Sequence, residues 1–348
     1  MPFNMTFDAY DSNIYQHCLT ISGIIATVSG FMGMYLTLIK SPPNFGFYKY
    51  FLFNICFWSF LNDFYLAVIY RPKILFPAIT SCPTGIFKTN DEHWGFVSYC
   101  IFMVFFGASS VSIITAFVYR FANLNNYLST LLKPSSLVIL GVLHLFYELP
   151  SIVLDTIAAV KYKDEIIAAV VKDYPNIVKH LVGQGCAVLH IEVGTSFAFI
   201  IACCIGFGIS VPIVSFLIYK CFRILIEQRS YMSPKTFRLH KRLLISLIFQ
   251  LLAPVCGLFG PFMAAAYLCF TGRENVEFFG MTTMVCGTLH SFFNTLMMVY
   301  FIPHYRRIFL SIVLRKNISP SSVDTHSKGT HQGQKSSHIF NTQESNKK

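Results

Sequence analysis

The chain has 348 residues, of which 54% are hydrophobic and only 12% are charged. Because a soluble domain has about 25% charged residues, this composition excludes an ordinary soluble protein and favours a chain that is solvated by a lipid bilayer. The formal net charge of +11 could indicate a nucleic-acid partner, but the positions of the charges favour orientation in a membrane and no nucleic acid.

Seven apolar segments are long enough to cross a bilayer, which takes about 20 residues per helix. We therefore predict an all-α membrane protein built as a bundle of seven transmembrane helices. The segments are approximately residues 19–39, 50–70, 96–119, 136–158, 195–219, 243–270 and 278–302. The fourth segment is the most irregular, since Glu148, Pro150 and Asp155 interrupt it.

The charges between these segments predict the orientation of the bundle. If the N-terminus lies outside, the inner segments hold 19 of the 27 Lys and Arg residues. Those inner segments are residues 40–49, 120–135, 220–242 and 303–348. Loops rich in Lys and Arg face the cytoplasm, so we predict an outer N-terminus and a cytoplasmic C-terminus. Arg71 and Lys73 are a local exception, just outside the second segment.

Three regions follow from this topology. Residues 1–18 form an extracellular N-terminus, residues 19–310 form the helical domain, and residues 311–348 form a disordered cytoplasmic tail that is too polar to fold alone. The first seventeen residues contain no Lys or Arg, so no cleavable signal peptide is predicted. Asn4 begins an Asn-Met-Thr motif, which predicts glycosylation on the outer side.

The longest outer loop, residues 159–194, contains Cys186 in an oxidising environment that permits disulfides. Three other cysteines could reach it, namely Cys82, Cys100 and Cys18. We favour Cys82–Cys186, because Cys82 lies outside the lipid. Connectivity does not follow from sequence alone, and the alternative that Cys186 stays free remains open.

Polar residues inside the predicted helices are costly in lipid and therefore informative. His290 and Asn294 are four residues apart, so they share one helix face. Asp63 needs partners at its depth, and we favour a polar switch network, which could bind an ion, over ordinary hydrogen bonds worth about 0.6 kcal/mol each. The predicted network residues are Asn54, Asp63, Ser109, Ser110 and Asn294.

Two further features concern the fourth and sixth segments. Glu148 either faces the outer cavity or pairs with His144 one turn earlier, and we favour the pair. Pro254 and Pro261 divide the sixth segment and predict a hinge. The basic inner end of this segment either moves as a lever or anchors the helix at anionic lipid headgroups, and both roles are compatible.

Chemistry-bearing motifs are missing from the sequence. It contains no metal-ligand spacing, glycine-rich phosphate loop or nucleophile motif. None of the predicted helices has an interior Lys, which argues against a retinal Schiff base. We therefore expect no enzyme activity, no cofactor and no metal site.

Several stretches resemble nematode serpentine chemoreceptors, most closely class H, with class I and the Str-type classes as near neighbours. The resemblance covers about residues 19–310. It rests on Ser41-Pro42-Pro43 with residues 51–64, where Asp63 matches the family aspartate. It rests also on Gln250 and Pro254, on His290, and on the closing Pro303-His304-Tyr305-Arg306. Ser291 replaces a family glycine, His304 interrupts the closing motif, and Tyr119 stands before Arg120 where many receptors have an acid.

The resemblance implies a G-protein-coupled receptor in the plasma membrane of sensory cilia, which detects an odorant or pheromone and couples to a heterotrimeric G protein. We expect a small molecule to bind between the outer halves of helices 3, 5, 6 and 7. The candidate lining residues are Met103, Phe106, Glu148, Phe197, Phe259, Phe262, Met263, Met284 and His290. The candidate G-protein contacts are Tyr119, Arg120, Arg238, Lys241, Arg242, Tyr305 and Arg306.

A transporter or ligand-gated cation channel is the alternative from another functional class. It would use Asp63 and Glu148 as ion sites. No internal repeat is visible in the sequence, and intramembrane charges are few, so we favour the receptor.

Overall fold

A computed structural model describes residues 13–76, 78–190, 192–270 and 276–314 of the chain. The chain divides into two compact units, Met1–Phe309 and Leu310–Lys348. The predicted glycosylation site at Asn4 and nearly all of the predicted tail lie outside the described residues.

The first three predicted segments are helical. Helix α1 spans Asn13–Leu38, and helix α2 spans Tyr48–Phe64 and continues as a π-helical turn over Tyr65–Tyr70. A 3₁₀ turn at Pro43–Phe45 lies between them. Helix α3 runs over Glu92–Leu124 and begins where the Asp91 carboxylate accepts a hydrogen bond from the His93 amide at 2.9 Å, which satisfies a free N–H group of the first turn.

The fourth predicted segment is divided into two helices. After the short helix α4 (Leu128–Leu131), α5 spans Pro134–Phe146 and α6 spans Leu149–Lys161. Pro150 lies in the first turn of α6. Backbone N–H groups in the first turn have no partner within the helix, so proline costs no helical hydrogen bond there. The irregularity noted in the sequence therefore becomes a break before α6.

The outer loop of residues 159–194 is more structured than the sequence analysis predicted. It contains α7 (Lys163–Asp173), a 3₁₀ turn (Pro175–Ile177), α8 (Val178–Leu181) and a short strand, β3 (Ala187–Val188). The exposed Lys163 ammonium is hydrogen-bonded to Glu92 at the start of α3, which raises its pKa.

Strand β3 belongs to a three-stranded antiparallel sheet in the order β1-β2-β3. Strand β1 spans Pro72–Leu75 and β2 spans Thr80–Pro83. The strands are only two to four residues long, which is too short for an alternating pattern to reveal them in the sequence.

A disulfide joins Cys82 to Cys186, the pair that the sequence analysis favoured, while Cys18 and Cys100 carry free thiols. The backbone beside this disulfide lies against α3. A Cβ atom on Gly95 would lie 1.7 Å from the carbonyl oxygen of Gly185, so only glycine permits this approach of two backbones. The sheet and the loop are therefore fixed over the outer end of α3.

The last three predicted segments complete the bundle. Helix α9 spans Gly194–Glu227 and is followed by a 3₁₀ turn at Gln228–Ser230. The sixth segment consists of α10 (Pro234–Pro254), a π-helical turn (Val255–Phe259) and α11 (Gly260–Phe270). The seventh consists of α12 (Val276–Gly287) and α13 (His290–Phe301), and α14 (Pro303–Val313) follows it.

Within the described residues, six helices are long and apolar enough to span a membrane, and α12 with α13 make a seventh if this pair, bent by 47°, counts as one span. This confirms the predicted seven-helix architecture. The largest buried cluster lies between the helices at the end that charge predicts to be inner, and includes Leu52, Ile113, Phe117 and Leu247.

Candidate functional site

Asp63 is fully buried in α2 and caps a helix that begins inside the bundle. Its Oδ2 atom accepts a hydrogen bond from the backbone amide of Ser291 at 2.5 Å, and Oδ1 accepts one from the Asn62 side chain at 3.2 Å. The break before α13 leaves the first N–H groups of this helix without helical partners. A carboxylate is a strong acceptor for such groups and also complements the positive end of the helix dipole.

A second set of bonds connects α13 with α2 and α3. Asn294 donates to the Ser59 hydroxyl at 2.7 Å and contacts Nε2 of His290 at 3.0 Å. The Ser59 hydroxyl lies 3.5 Å from that of Ser109 on α3. These residues extend the polar cluster from the seventh span to the third.

The structure places Asn54 outside this cluster. Its amide lies 2.9 Å from Nε2 of His144 on α5, so it links the second span to the fourth. Ser110 bonds to the Phe106 carbonyl one turn earlier at 3.1 Å. Of the predicted network residues, Asn294 and Ser109 come together through the Ser59 hydroxyl. Asp63 bonds instead to the Ser291 amide, which was not in the predicted network.

The expected pair between Glu148 and His144 does not form in the structure. His144 is occupied by Asn54 and by the Leu140 carbonyl at 2.7 Å. Glu148 is buried instead against Gly107 of α3 and Ser151 of α6. Regular helical bonding is interrupted at Tyr147–Glu148, and each of the two side chains has a partner on another helix instead.

Glu148 approaches α3 so closely that Gly107 is needed there. A Cβ atom at residue 107 would lie 2.3 Å from Cγ of Glu148. We expect Gly107→Ala to lower the free energy of unfolding by about 1–3 kcal/mol, the usual cost of overpacking a core. The thermal midpoint of the purified protein measures this loss.

Gly141→Ala is the matched control, because a Cβ atom on Gly141 of α5 would meet nothing within 4 Å. We expect the control to be neutral or stabilising by up to about 1 kcal/mol, since Ala favours a helix over Gly. The double variant Gly107→Ala with Glu148→Ala should lose less stability than the two single changes added together. Additive losses would contradict this assignment of the contact.

A small cavity lies between the second, third, sixth and seventh spans. Its volume is about 10 Å³, and its lining includes Asn62, Phe106, Ser110, Pro254, Gly257 and His290. This volume holds about one water molecule, whereas sites for drug-sized ligands measure about 300–1,000 Å³. The polar cluster and the sixth span therefore meet at a space that is closed to a larger ligand in this conformation.

Apart from Glu148, the candidate lining residues divide into four pairs. Phe106 and His290 line the cavity, while Met103 and Met284 are buried in separate apolar clusters nearer the outer sheet. Phe197 and Met263 are 44% and 39% exposed, so the structure does not bring them to this cavity. The side chains of Phe259 and Phe262 lie outside the described part of the structure.

Pro254 and Pro261 stand at opposite ends of an irregular stretch. Pro254 is the last residue of α10, the π-helical turn Val255–Phe259 follows it, and Pro261 is in the first turn of α11. Proline removes a backbone hydrogen bond, and π-helical turns often mark functional sites. The hinge thus remains a proposal, placed on a segment whose regular helical bonding is interrupted.

At the inner end, Arg120 is buried and lies over an aromatic ring. Its guanidinium carbon is 3.4 Å from the ring centroid of Tyr48, and the Tyr119 ring stacks on Tyr48 at 5.5 Å. A desolvated contact of this kind is worth about 2 kcal/mol. The Tyr48 ring is therefore the contact of the Arg120 guanidinium here, whereas many receptors have an acid next to the corresponding arginine.

The other candidate G-protein contacts differ in exposure. Tyr305 is fully buried, and its hydroxyl lies 2.5 Å from that of Ser41. Arg238, Lys241, Arg242 and Arg306 are exposed. A partner could reach these basic residues directly, whereas Tyr119, Arg120 and Tyr305 are covered in this conformation.

The sequence analysis missed four residues of these sites. Ser59, Ser291 as a backbone donor, Tyr48 and Ser41 each contact a predicted site residue. Ser59 is four residues before Asp63, so a systematic search of the Asp63 helix face could have found it. Ser41 stood in a family-like motif, but nothing local points to its contact with Tyr305 or to that of Tyr48 with Arg120, since these partners are distant in the chain.

Comparisons with known proteins agree with this architecture. A family model described as serpentine type 7TM GPCR chemoreceptor Srh matches residues 11–315. The crystal structure of squid rhodopsin is similar with a TM-score of 0.57 and 14% sequence identity, over 90% of this chain and 87% of that chain. At this identity the likeness concerns the fold alone. No match was found among curated proteins.

Proposed function

The chain belongs to the Srh family of serpentine seven-transmembrane chemoreceptors, and we propose that it binds an external small molecule and activates a heterotrimeric G protein. We propose the plasma membrane, and specifically the sensory cilium, as its location. The ligand would be an amphipathic odorant or pheromone, because the cavity combines Phe106 and Pro254 with polar side chains such as those of Ser110 and His290.

One observation carries the proposal: the cavity touches the irregular points of both the sixth and the seventh spans. Pro254 and Gly257 belong to the interrupted part of the sixth span, and His290 begins the helix after the break in the seventh. Interrupted helices change conformation at lower cost than regular ones. A ligand that widens this cavity from outside would therefore act on both spans at once.

The expected response at the inner end follows from the same hinge. Movement of α10 about Pro254 would displace its exposed basic residues Arg238, Lys241 and Arg242 from the bundle. Arg120 and Tyr305 would then become accessible to a G protein. A ligand can shift this equilibrium only by its difference in affinity for the closed and the widened conformations, so the ligand must prefer the widened cavity.

A variant with a filled cavity tests the proposal whichever small molecule proves to be the agonist. Ser110→Leu places a larger side chain at the cavity, and we expect at least a tenfold loss of sensitivity to every agonist. Nucleotide exchange on a co-expressed G protein would be measured against a panel of short-chain alcohols, ketones and esters. Surface expression of the variant should remain close to that of the unchanged protein.

Thr282→Leu is the matched control, since Thr282 is exposed and, like Ser110, bonds to a carbonyl four residues earlier. Unchanged agonist sensitivity in Ser110→Leu would contradict the proposed site. An agonist-evoked current in membranes that lack G protein would favour the channel alternative instead.

A further inference from the structure

Three side chains with metal-ligating atoms converge on the outer face of the protein, away from the cavity. Asp173 is the last residue of α7, and His190 and Glu192 lie between β3 and α9. One ligand atom from each residue lies within 4.8 Å of the others. We propose that these residues form a binding site for a divalent transition-metal ion, with Zn²⁺ as the best-matched ion.

The donor set favours zinc over the common alkaline-earth ions. Zinc binds histidine nitrogen together with carboxylate oxygen, often with three protein ligands and a fourth position for water. Calcium and magnesium prefer oxygen atoms throughout. Two carboxylates and a neutral imidazole also balance the charge of a divalent cation.

His190 is held in place for this role before any ion binds. Its Nε2 atom is 3.1 Å from Oδ2 of Asp173, and its Nδ1 atom accepts from the backbone amide of Glu192 at 3.3 Å. The ring is mostly buried, with the Asp173 side chain 29% exposed beside it. An ion bound to Nε2 would replace the hydrogen bond between His190 and Asp173. The proton on Nε2 would leave to solvent or move to Nδ1, which would then give up the long bond from the Glu192 amide.

Glu192 distinguishes a metal site from a simple ion pair. A tether between α7 and the following segment needs only Asp173 and His190. Within the described residues, the exposed Glu192 side chain has no ion-pair partner, yet it lies close enough to complete a three-ligand set. Its carboxylate is therefore the group whose removal separates the two interpretations.

A bound ion would join the end of α7 to the segment that precedes α9. Leu189, next to His190, packs in one cluster with Met103 of α3 and Phe199 of α9. Metal occupancy would thus stiffen the packing over the outer ends of these spans. The proposed binding of the ion does not depend on the proposed receptor function. Only an effect of the ion on signalling would rest on that function.

Zinc binding to the full-length protein in lipid nanodiscs tests the site. We expect isothermal titration with ZnCl₂ to show one more ion per chain in the unchanged protein than in Glu192→Gln, or at least a tenfold lower affinity in the variant. The histidines of residues 315–348 bind equally in all variants, so only the difference counts. Glu165→Gln, which changes an exposed acid on the same outer helix, should behave like the unchanged protein.

Cobalt provides a second measurement that reports on the ligands. Co²⁺ should give visible d–d absorption in the unchanged protein, with a weaker band in His190→Gln and in Glu192→Gln. Equal zinc stoichiometry and affinity in the unchanged protein and Glu192→Gln would overturn the proposal. Displacement of zinc by an equal concentration of Ca²⁺ would overturn the assignment to a transition metal.

Discussion

Asp63→Ala is expected to lower the free energy of unfolding by about 1–3 kcal/mol, the range for leaving a buried hydrogen-bond donor without its partner. The variant removes the acceptor from the buried Ser291 amide at the start of α13, and an unpaired backbone N–H group inside a membrane bundle is costly. Thermal unfolding in detergent measures the loss, with a thiol-reactive dye that labels the buried Cys56 and Cys221 as the bundle opens.

Asp63→Asn is the control that separates the cap from the charge. The amide oxygen of asparagine still accepts a hydrogen bond from the Ser291 amide, so we expect less than half of the alanine variant's loss. If both variants unfolded at the temperature of the unchanged protein, the capping interaction would contribute nothing measurable. If Asp63→Asn were as unstable as Asp63→Ala, the negative charge would matter more than the bond.

Tyr48→Leu is expected to raise basal G-protein activation. The change removes the aromatic ring that lies under the Arg120 guanidinium and with it about 2 kcal/mol of attraction. If that contact favours the closed conformation, its loss shifts the ratio of the two conformations roughly tenfold to thirtyfold. Agonist-free nucleotide exchange, normalised to receptor at the cell surface, measures the shift.

Two controls make this result specific. Tyr50→Leu removes an exposed ring on the same helix that Lys49 approaches at 5.0 Å, and we expect no effect on basal activity. Tyr48→Phe keeps the ring under the guanidinium and removes only the hydroxyl, so a basal activity that depends on the ring should stay at the level of the unchanged protein. Low basal activity in Tyr48→Leu, or equal increases in Tyr48→Leu and Tyr50→Leu, would argue against a resting-state role for the contact.

The Tyr48 contact also bears on how this chain differs from many receptors. Tyr119 replaces the acid that often precedes the arginine, so a carboxylate cannot hold Arg120 from that position. The structure places the Tyr48 ring under the guanidinium instead. We therefore expect a resting state whose stability depends less on salt than that of an ion pair, because an aromatic ring carries no net charge to screen.

The seven helical segments can be predicted from the sequence alone, since a bilayer requires about 20 apolar residues per crossing and that requirement is local. It also narrowed the partners of Cys186 to the cysteines on the outer side, among which Cys82 forms the bond. Polar residues inside apolar segments, such as Asp63 and Asn294, can also be identified from the sequence, because a polar side chain in lipid is costly wherever it lies in the fold.

Which of these polar residues contact one another depends on the three-dimensional packing of the helices. Asp63 bonds to a backbone amide 228 residues away, and that amide is free only because the seventh span breaks before α13. Asn54 bonds to His144 on the fourth span, and Glu148 of the same span packs against Gly107 on the third. Apolar runs respond to the solvent around each segment, whereas hydrogen-bond partners depend on how distant helices are rotated and shifted against one another.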